Sequence, residues 1–214
     1  MTGSLAVAPR PLIDWGISAR TYEGEIESGD AYVVAPFPGG VLVAVIDGLG
    51  HGAEAATAAR AAVATLQEHA EEPVIDLLPR CHEALRKTRG AALSLASFQA
   101  VTGTMTWLGV GNVEGALFRV DRTARHPRDS LMLRGGVVGY RLPPLRAASH
   151  AVFAGDMLTF ATDGIAGGFH AHAPLGRSPQ DMADEIQLRY GKKTDDALVL
   201  VATYLGDAFR GAPR

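Results

Sequence analysis

Apolar positions along this chain fall into short alternating or continuous runs, broken by two stretches of helical character in the first half and one near the end. Residues 12–18 read as a first strand. Residues 31–35 and 41–46 are valine-rich runs, and Pro36-Phe37-Pro38-Gly39-Gly40 between them reads as a hairpin loop. Residues 53–70 are alanine-rich, without Pro or Gly, and predict a helix. Residues 73–88 predict a second helix, with Pro73 suited to its first turn. Residues 90–113 carry no charge and are long enough for a membrane span. Leu93, Leu95, Met105 and Trp107 alternate with small or polar residues there, however, so the segment predicts two paired strands turning at residues 101–104. Further strands are expected at 115–120, 130–134, 151–153 and 157–161, the last two flanking a Gly155-Asp156 turn. Residues 178–190 predict a helix capped by Ser178, with Pro179 in its first position and Asp181 favouring the helix start, and residues 197–205 predict a final strand.

The helices are grouped rather than alternating with strands, which disfavours a doubly wound parallel sheet. An α+β sandwich, with helices covering antiparallel sheets, fits the order better. There is no internal repeat, low-complexity tract or linker, so residues 1–214 are read as a single domain without a separate sensor domain.

Charge narrows the function classes. Twenty Lys and Arg against 23 Asp and Glu give −3, too near neutral for a non-specific nucleic-acid or membrane binder. The single cysteine, Cys81, excludes an intrachain disulfide framework and a multi-cysteine zinc site. It lies mid-helix without a Cys-x5-Arg loop and reads as a packing residue. The N-terminus lacks the pattern of a signal peptide, so a cytoplasmic protein is expected. Glycine is in excess, 25 of 214 residues against an average of about 7%.

The informative residues are aspartates beside loops. Asp30 opens a predicted strand after Ser28-Gly29, and Asp47 ends one and begins Asp47-Gly48-Leu49-Gly50-His51-Gly52. Asp163 follows a strand in Thr162-Asp163-Gly164, and Asp195 precedes one in Thr194-Asp195-Asp196. Each alone reads as an ordinary turn residue. Brought together, they would repel unless a cation sat among them, and with oxygen donors only that cation would be hard, Mg²⁺ or Mn²⁺. The loop is not a nucleotide fingerprint: its third glycine comes one residue early, and no Gly-Lys-Ser/Thr is present.

In order, Ser28-Gly29-Asp30, Asp47 to Gly52, Thr162-Asp163-Gly164 and Thr194-Asp195-Asp196 resemble the motifs of the PPM-type metal-dependent protein Ser/Thr phosphatases, in their compact bacterial SpoIIE/RsbX branch. The resemblance spans roughly residues 29–205, and residues 80–85, 87–91 and 110–113 are also similar to RsbX-type sequences. It implies a four-layer α-β-β-α sandwich and a site for two Mn²⁺ or Mg²⁺ ions. It also implies hydrolysis of phosphoserine or phosphothreonine by metal-activated water. In that scheme Asp47 bridges both ions, and the Gly48 carbonyl binds one. Asp163 and Asp195 hold the first ion, Asp30 belongs to the second, and Asp196 and Gly164 stand just behind. The implied substrates are STAS-domain phosphoproteins of partner-switching or stressosome pathways. The alternative is a catalytically inactive pseudophosphatase that acts as a binding module.

Larger family members grip phosphate with an arginine shortly before the first acidic motif. Here that stretch holds Glu25, Ile26 and Glu27, and Arg20, the nearest arginine, is not assigned the role. His51 reads either as a proton donor to the leaving alkoxide or as a solvent-facing loop residue, and the loop reading is preferred. His170 and His172 are expected near the substrate mouth. Arg119, Arg122, Arg125 and Arg128 with His126 are expected in a solvated loop.

Overall fold

The computed structural model describes residues 11–206 except 122, 124, 125 and 172–175. One antiparallel sheet runs in the order β1 (Ile13–Arg20), β10 (Ala197–Tyr204), β9 (Met157–Ala161), β6 (Glu114–Phe118), β7 (Arg128–Ser130). The other runs β2 (Asp30–Phe37), β3 (Gly40–Gly48), β4 (Ala91–Gln99), β5 (Thr104–Val110), β8 (Ala148–Ala151). Helices α1 (Gly52–Glu68) and α2 (Val74–Leu85) share a core with the β2–β8 sheet, and α3 (Pro179–Tyr190) shares one with the β1–β7 sheet. The result is the α-β-β-α sandwich expected. Among the described residues no helix is long and apolar enough to cross a membrane, and the charge-free stretch forms β4 and β5.

Strand alternation assigns each face. In β3, Leu42, Ala44 and Ile46 pack beneath α1 and α2, whereas Val41, Val43 and Val45 enter the core between the sheets. Opposite them, Leu158 and Phe160 of β9 and Leu198, Leu200 and Ala202 of β10 fill the same inter-sheet core. Each large aliphatic or aromatic side chain fully buried there contributes roughly 1.5–3 kcal/mol. β2 and β3 are joined by Pro38-Gly39 alone, with Phe37 opposite Gly40, and the turn requires Gly39 at φ +82°.

Several boundaries move. The second helix starts at Val74 with Pro73 outside it as N-cap, and ends at Leu85, three residues before Thr88. Pro79 lies inside this helix; burial of Val74, Leu77, Leu78, Cys81 and Leu85 outweighs its cost of about 3 kcal/mol. The strand expected at 130–134 is instead β7, Arg128–Ser130. Beyond it the chain crosses between sheets: Leu131 N donates to Gly115 O, and Gly111 N donates to Arg134 O. The strand expected at 151–153 is displaced to Ala148–Ala151. Ser178 caps α3 as predicted, accepting a hydrogen bond from Asp181 N at 3.1 Å.

Candidate metal and phosphoryl site

The inter-sheet stripe becomes polar at one end of the sandwich. Asp47 continues the face of Val41, Val43 and Val45, and Asp30 lies opposite it across the β2–β3 ladder. From the other sheet, Thr162 continues the face of Leu158 and Phe160, and Asp196 that of Leu198 and Leu200. Thr162 Oγ1 donates to Asp30 Oδ2 at 2.7 Å and accepts from Leu198 N at 2.9 Å, so it ties the sheets together at the site. Asp163 and Asp195 are each one residue out of this phase and stand toward the rim.

Electrostatics distinguishes these carboxylates. Burial, then the charge of Asp47, pushes Asp30 up to about 8. Burial, then Asp163 and Asp195, pushes Asp47 up to about 7. Asp195 is also raised, by partial burial and by Asp163 and Asp196, with His51 acting in the opposite direction. Asn112 Nδ2 donates to Asp163 Oδ2 at 2.8 Å. Asp196 is buried, and backbone amides engage both its oxygens: Tyr22 N donates to Oδ1 and Gly29 N to Oδ2, each at 2.8 Å. Through these two amides it braces the loop before Asp30.

Two glycines are fixed by close approach. A side chain at Gly48 would overlap the Ala55 carbonyl of α1, and one at Gly164 would overlap the Asp196 carbonyl. On the β2 side Gly48 N donates to Gly29 O, but Gly29 N donates to Asp196 Oδ2 rather than back to Gly48. The Gly48 carbonyl is thereby left without that partner.

Among the described residues no three His, Cys, Asp or Glu side chains close into a compact cage around one point. The aspartates instead line an open, oxygen-only cleft in which each pushes its neighbours toward protonation. That donor set fits Mg²⁺ or Mn²⁺, which bind through one or two carboxylates and keep several waters. It does not fit a closed structural zinc site.

The sequence overlooked several neighbours. Lys192 Nζ donates to the Asp163 carbonyl at 2.6 Å, and Lys192 N to Gly164 O at 2.7 Å, so the lysine before Thr194-Asp195 holds the Asp163 turn. The pair Lys192-Lys193 beside the last acidic motif was the available signal. Asn112 stands in the segment 110–113 that is similar to RsbX-type sequences. Arg20 lies near Gly191 at the end of α3, on the helical face of its sheet, so it does not join the inter-sheet stripe. His170 Nε2 lies 2.7 Å from Glu114 Oε2, and His172 falls outside the described residues. Arg119 is not in a solvated loop: it is largely buried and paired with Asp129 and Asp156. Arg122 and Arg125 fall outside the described residues. Cys81 is buried, with its thiol pushed up to about 12 by burial, as a packing residue should be.

Comparison with known proteins agrees with this architecture. Phosphoserine phosphatase RsbX of Bacillus subtilis (strain 168) is 25% identical over 177 residues, 81% of this chain and 86% of the relative. A crystal structure of RsbX in complex with magnesium superposes with a TM-score of 0.80 at 21% identity, covering 90% of this chain and 95% of that one. A chain from work on the bacterial stressosome, described as a modular system adapted to control secondary messenger signaling, superposes with a TM-score of 0.80. It is 31% identical, and the match covers 89% of this chain and 98% of that one. The family model for Stage II sporulation protein E (SpoIIE) matches residues 38–205, from the β2–β3 turn through β10, and the chain therefore belongs to the SpoIIE family.

Proposed function

We propose that this chain is a protein serine/threonine phosphatase that uses two Mn²⁺ or Mg²⁺ ions. It removes phosphate from phosphoserine or phosphothreonine of a STAS-domain signalling protein in a cytoplasmic partner-switching or stressosome pathway. The observation that carries the reading is the pair Asp30 and Asp47. They face each other across adjacent strands and are raised to about 8 and about 7 by burial and by surrounding carboxylates. Such a pair is costly unless a cation lies between its members. The naming of the Bacillus subtilis relative as a phosphoserine phosphatase, and the magnesium in the RsbX crystal structure, support the reading.

Asp47, the Gly48 carbonyl and Asp30 would hold one side of the metal pair, and Asp47 with Asp163 and Asp195 the other. When bound, the ions supply a hydroxide nucleophile near neutral pH and neutralise charge on the transferring phosphoryl group. Thr162 and Asn112 orient Asp30 and Asp163 by donating to them, and Asp196 fixes the Gly29 turn through backbone amides. Direct attack by water needs no covalent phospho-enzyme, in keeping with the burial of Cys81. The purified protein should hydrolyse a phosphoserine peptide with Mn²⁺ and lose that activity to a chelator. Retained activity in Asp47→Asn would overturn the assignment.

A further inference from the structure

Two large apolar side chains stand almost wholly in solvent beside the aspartate end of the β2–β8 sheet: Ile26 is 98% exposed and Tyr140 84%. Taken singly, such residues need no explanation. These two differ in how firmly they are held. Ile26 stands between Glu25 and Glu27, whose carboxylates are tied to α1 and the loop before it: Glu25 Oε1 lies 2.5 Å from His51 Nδ1, and Glu27 Oε2 accepts from Arg60 Nη1 at 2.6 Å. Glu25 N donates to Tyr22 O, and Asp196 holds both ends of the loop through Tyr22 N and Gly29 N. Tyr140 tops a turn closed by its own amide and that of Arg141, both donating to Val137 O. The turn is fastened to α2: Gly139 N donates to His82 Nδ1 at 3.0 Å, and Gly139, at φ +98°, lies too close to Leu85 for a side chain. Ala91 and Val138 exchange amide-to-carbonyl bonds, so the turn continues the sheet beyond β4.

Strand pairing places the two turns on opposite flanks. Asp30 pairs with Asp47, the next residue Gly48 with Ala91, and Ala91 with Val138. Three steps of about 4.8 Å put roughly 15 Å between the flanks. Ile26 lies four residues before Asp30, and Tyr140 two after Val138. A standard protein interface covers about 800 Å² per partner, a disc roughly 32 Å across, so one centred on Asp47 takes in both closed turns. The flanks differ in charge. Glu23, Glu25 and Glu27 make the Ile26 side acidic, whereas the exposed Arg86, Lys87, Arg89 and Arg141 make the Tyr140 side basic. We propose that Ile26 and Tyr140 are paired anchors for a folded phosphoprotein. That partner seats an apolar patch with a basic border on Ile26 and one with an acidic border on Tyr140, and presents its phosphoserine to the aspartates between them. The inference rests on the phosphatase reading above and adds that the substrate is recognised by its folded surface. Both turns are already ordered, so docking costs little backbone freedom, and the opposed charges fix the partner's orientation.

Substrates of different size supply the test. Wild type, Ile26→Ala, Tyr140→Ala and the double variant are compared with Mn²⁺ on p-nitrophenyl phosphate, on a phosphoserine tripeptide and on an intact STAS domain phosphorylated on serine. On the intact domain each single variant should lose about 10-fold in kcat/KM, mostly through KM, as expected when a central apolar anchor is truncated. The double variant should lose about 100-fold, because the two turns share no partner. On the two small substrates every variant should stay within about 2-fold of wild type, and all should melt as wild type does, since neither side chain is buried. Reversing a border charge, Glu23→Lys or Lys87→Glu, should raise KM for the domain about 3-fold and leave the small substrates unchanged. Equal losses on all three substrates, no loss on the domain, or a wild type that prefers the domain no more than the tripeptide would each overturn the proposal. So would a wild-type dimer that Tyr140→Ala dissociates in sedimentation, which would assign the surface to a second copy. A wild type inactive on all three substrates sinks the phosphatase reading itself. Docking is then read by calorimetric titration of the phosphorylated domain into Asp47→Asn. Each alanine substitution added there should weaken Kd about 10-fold, and an unchanged Kd or no binding at all would overturn the anchors.

Discussion

Both ends of the sandwich gather carboxylates, and they solve the problem of like charge in opposite ways. At the end away from the site, Asp156 is buried but fully partnered: Val120 N donates to it at 2.8 Å, Phe153 N at 3.1 Å and Arg119 Nη1 at 3.2 Å. Arg119 also pairs with Asp129 through Nε and Nη2, at 3.1 and 2.7 Å, and donates to Ala151 O at 2.6 Å. Desolvation lowers His150 beside it, leaving arginine as the cation of that network near neutral pH. A cavity of about 690 Å³ opens there, lined by Arg119, Asp129, His150 and Phe153 among others, and Arg119 is already paired with Asp129 and Asp156. At the other end, Asp30 and Asp47 have neutral donors and other aspartates around them, and both are pushed toward protonation. Where the chain supplies its own counter-charge, the cluster is scaffold; where these carboxylates meet only neutral donors and one another, the cluster has the character the proposed cation site requires.

The sharpest way to break the comparison is to remove a charge from the site. Asp47→Asn takes away the carboxylate central to the proposed metal pair. Losing several kcal/mol of transition-state stabilisation should lower kcat/KM on a phosphopeptide by at least about 10³-fold. The same substitution relieves repulsion in the metal-free protein, so its Tm without metal should rise rather than fall. A substitution that costs activity and raises metal-free stability identifies a site carboxylate; a fall in both would place Asp47 with the scaffold.

The corresponding change at the far end has the opposite signature. Arg119→Met leaves Asp156 buried without its cation, and breaking a buried pair from one side costs about 3–5 kcal/mol. Urea denaturation should show that loss, while the Mn²⁺-dependent turnover of the folded fraction is retained. A neutral effect on stability would mean that the backbone amides of Val120 and Phe153 alone satisfy Asp156.

This contrast explains what could be read in the sequence. Strand phase was legible from valine and alanine runs, and with it the layers of the sandwich. The aspartates were legible because each interrupts such a run at a loop. The stripe was not: Asp47, Thr162 and Asp196 face one cleft only because β3, β9 and β10 end in the same phase, and the register between strands of different sheets is a tertiary property. Arg119 was misplaced for the same reason. Its local neighbours are basic and loop-like, whereas its partners lie 10 and 37 residues away. β7 and β8 were displaced because both are edge strands of three and four residues, without an apolar run to mark them.

Titration should separate the two ends further. The carboxylates of Asp30 and Asp47 have an ordinary value of 3.8 and are raised in the fold to about 8 and about 7. The folded metal-free protein thus holds protons that the unfolded chain releases, and its stability should fall as pH rises from about 4 to about 8. Cation binding counters this, because the metal competes with those protons and binds more tightly as pH rises. At pH 8, Mn²⁺ at one hundred times its dissociation constant should add about 2.7 kcal/mol. Thermal melts from pH 5 to 8, with and without Mn²⁺, would show the two curves diverging upward in pH. Parallel curves would remove Asp30 and Asp47 from the binding site.

The smallest effect tests the seam between the sheets. Thr162 Oγ1 donates to Asp30 and accepts the amide of Leu198, so one hydroxyl serves both the site and the fold. Thr162→Val keeps the shape but leaves the Leu198 amide unsatisfied, a loss of about 1–3 kcal/mol. It also frees the Asp30 carboxylate to rotate, and loss of such an outer partner typically weakens metal binding about 10-fold. Thr162→Ser restores the hydroxyl and should recover both quantities. Calorimetric titration with Mn²⁺ and urea denaturation of the two variants distinguish the roles. If Thr162→Val loses stability but binds Mn²⁺ as wild type does, the hydroxyl belongs to the fold alone, and Asp30 is oriented by its strand.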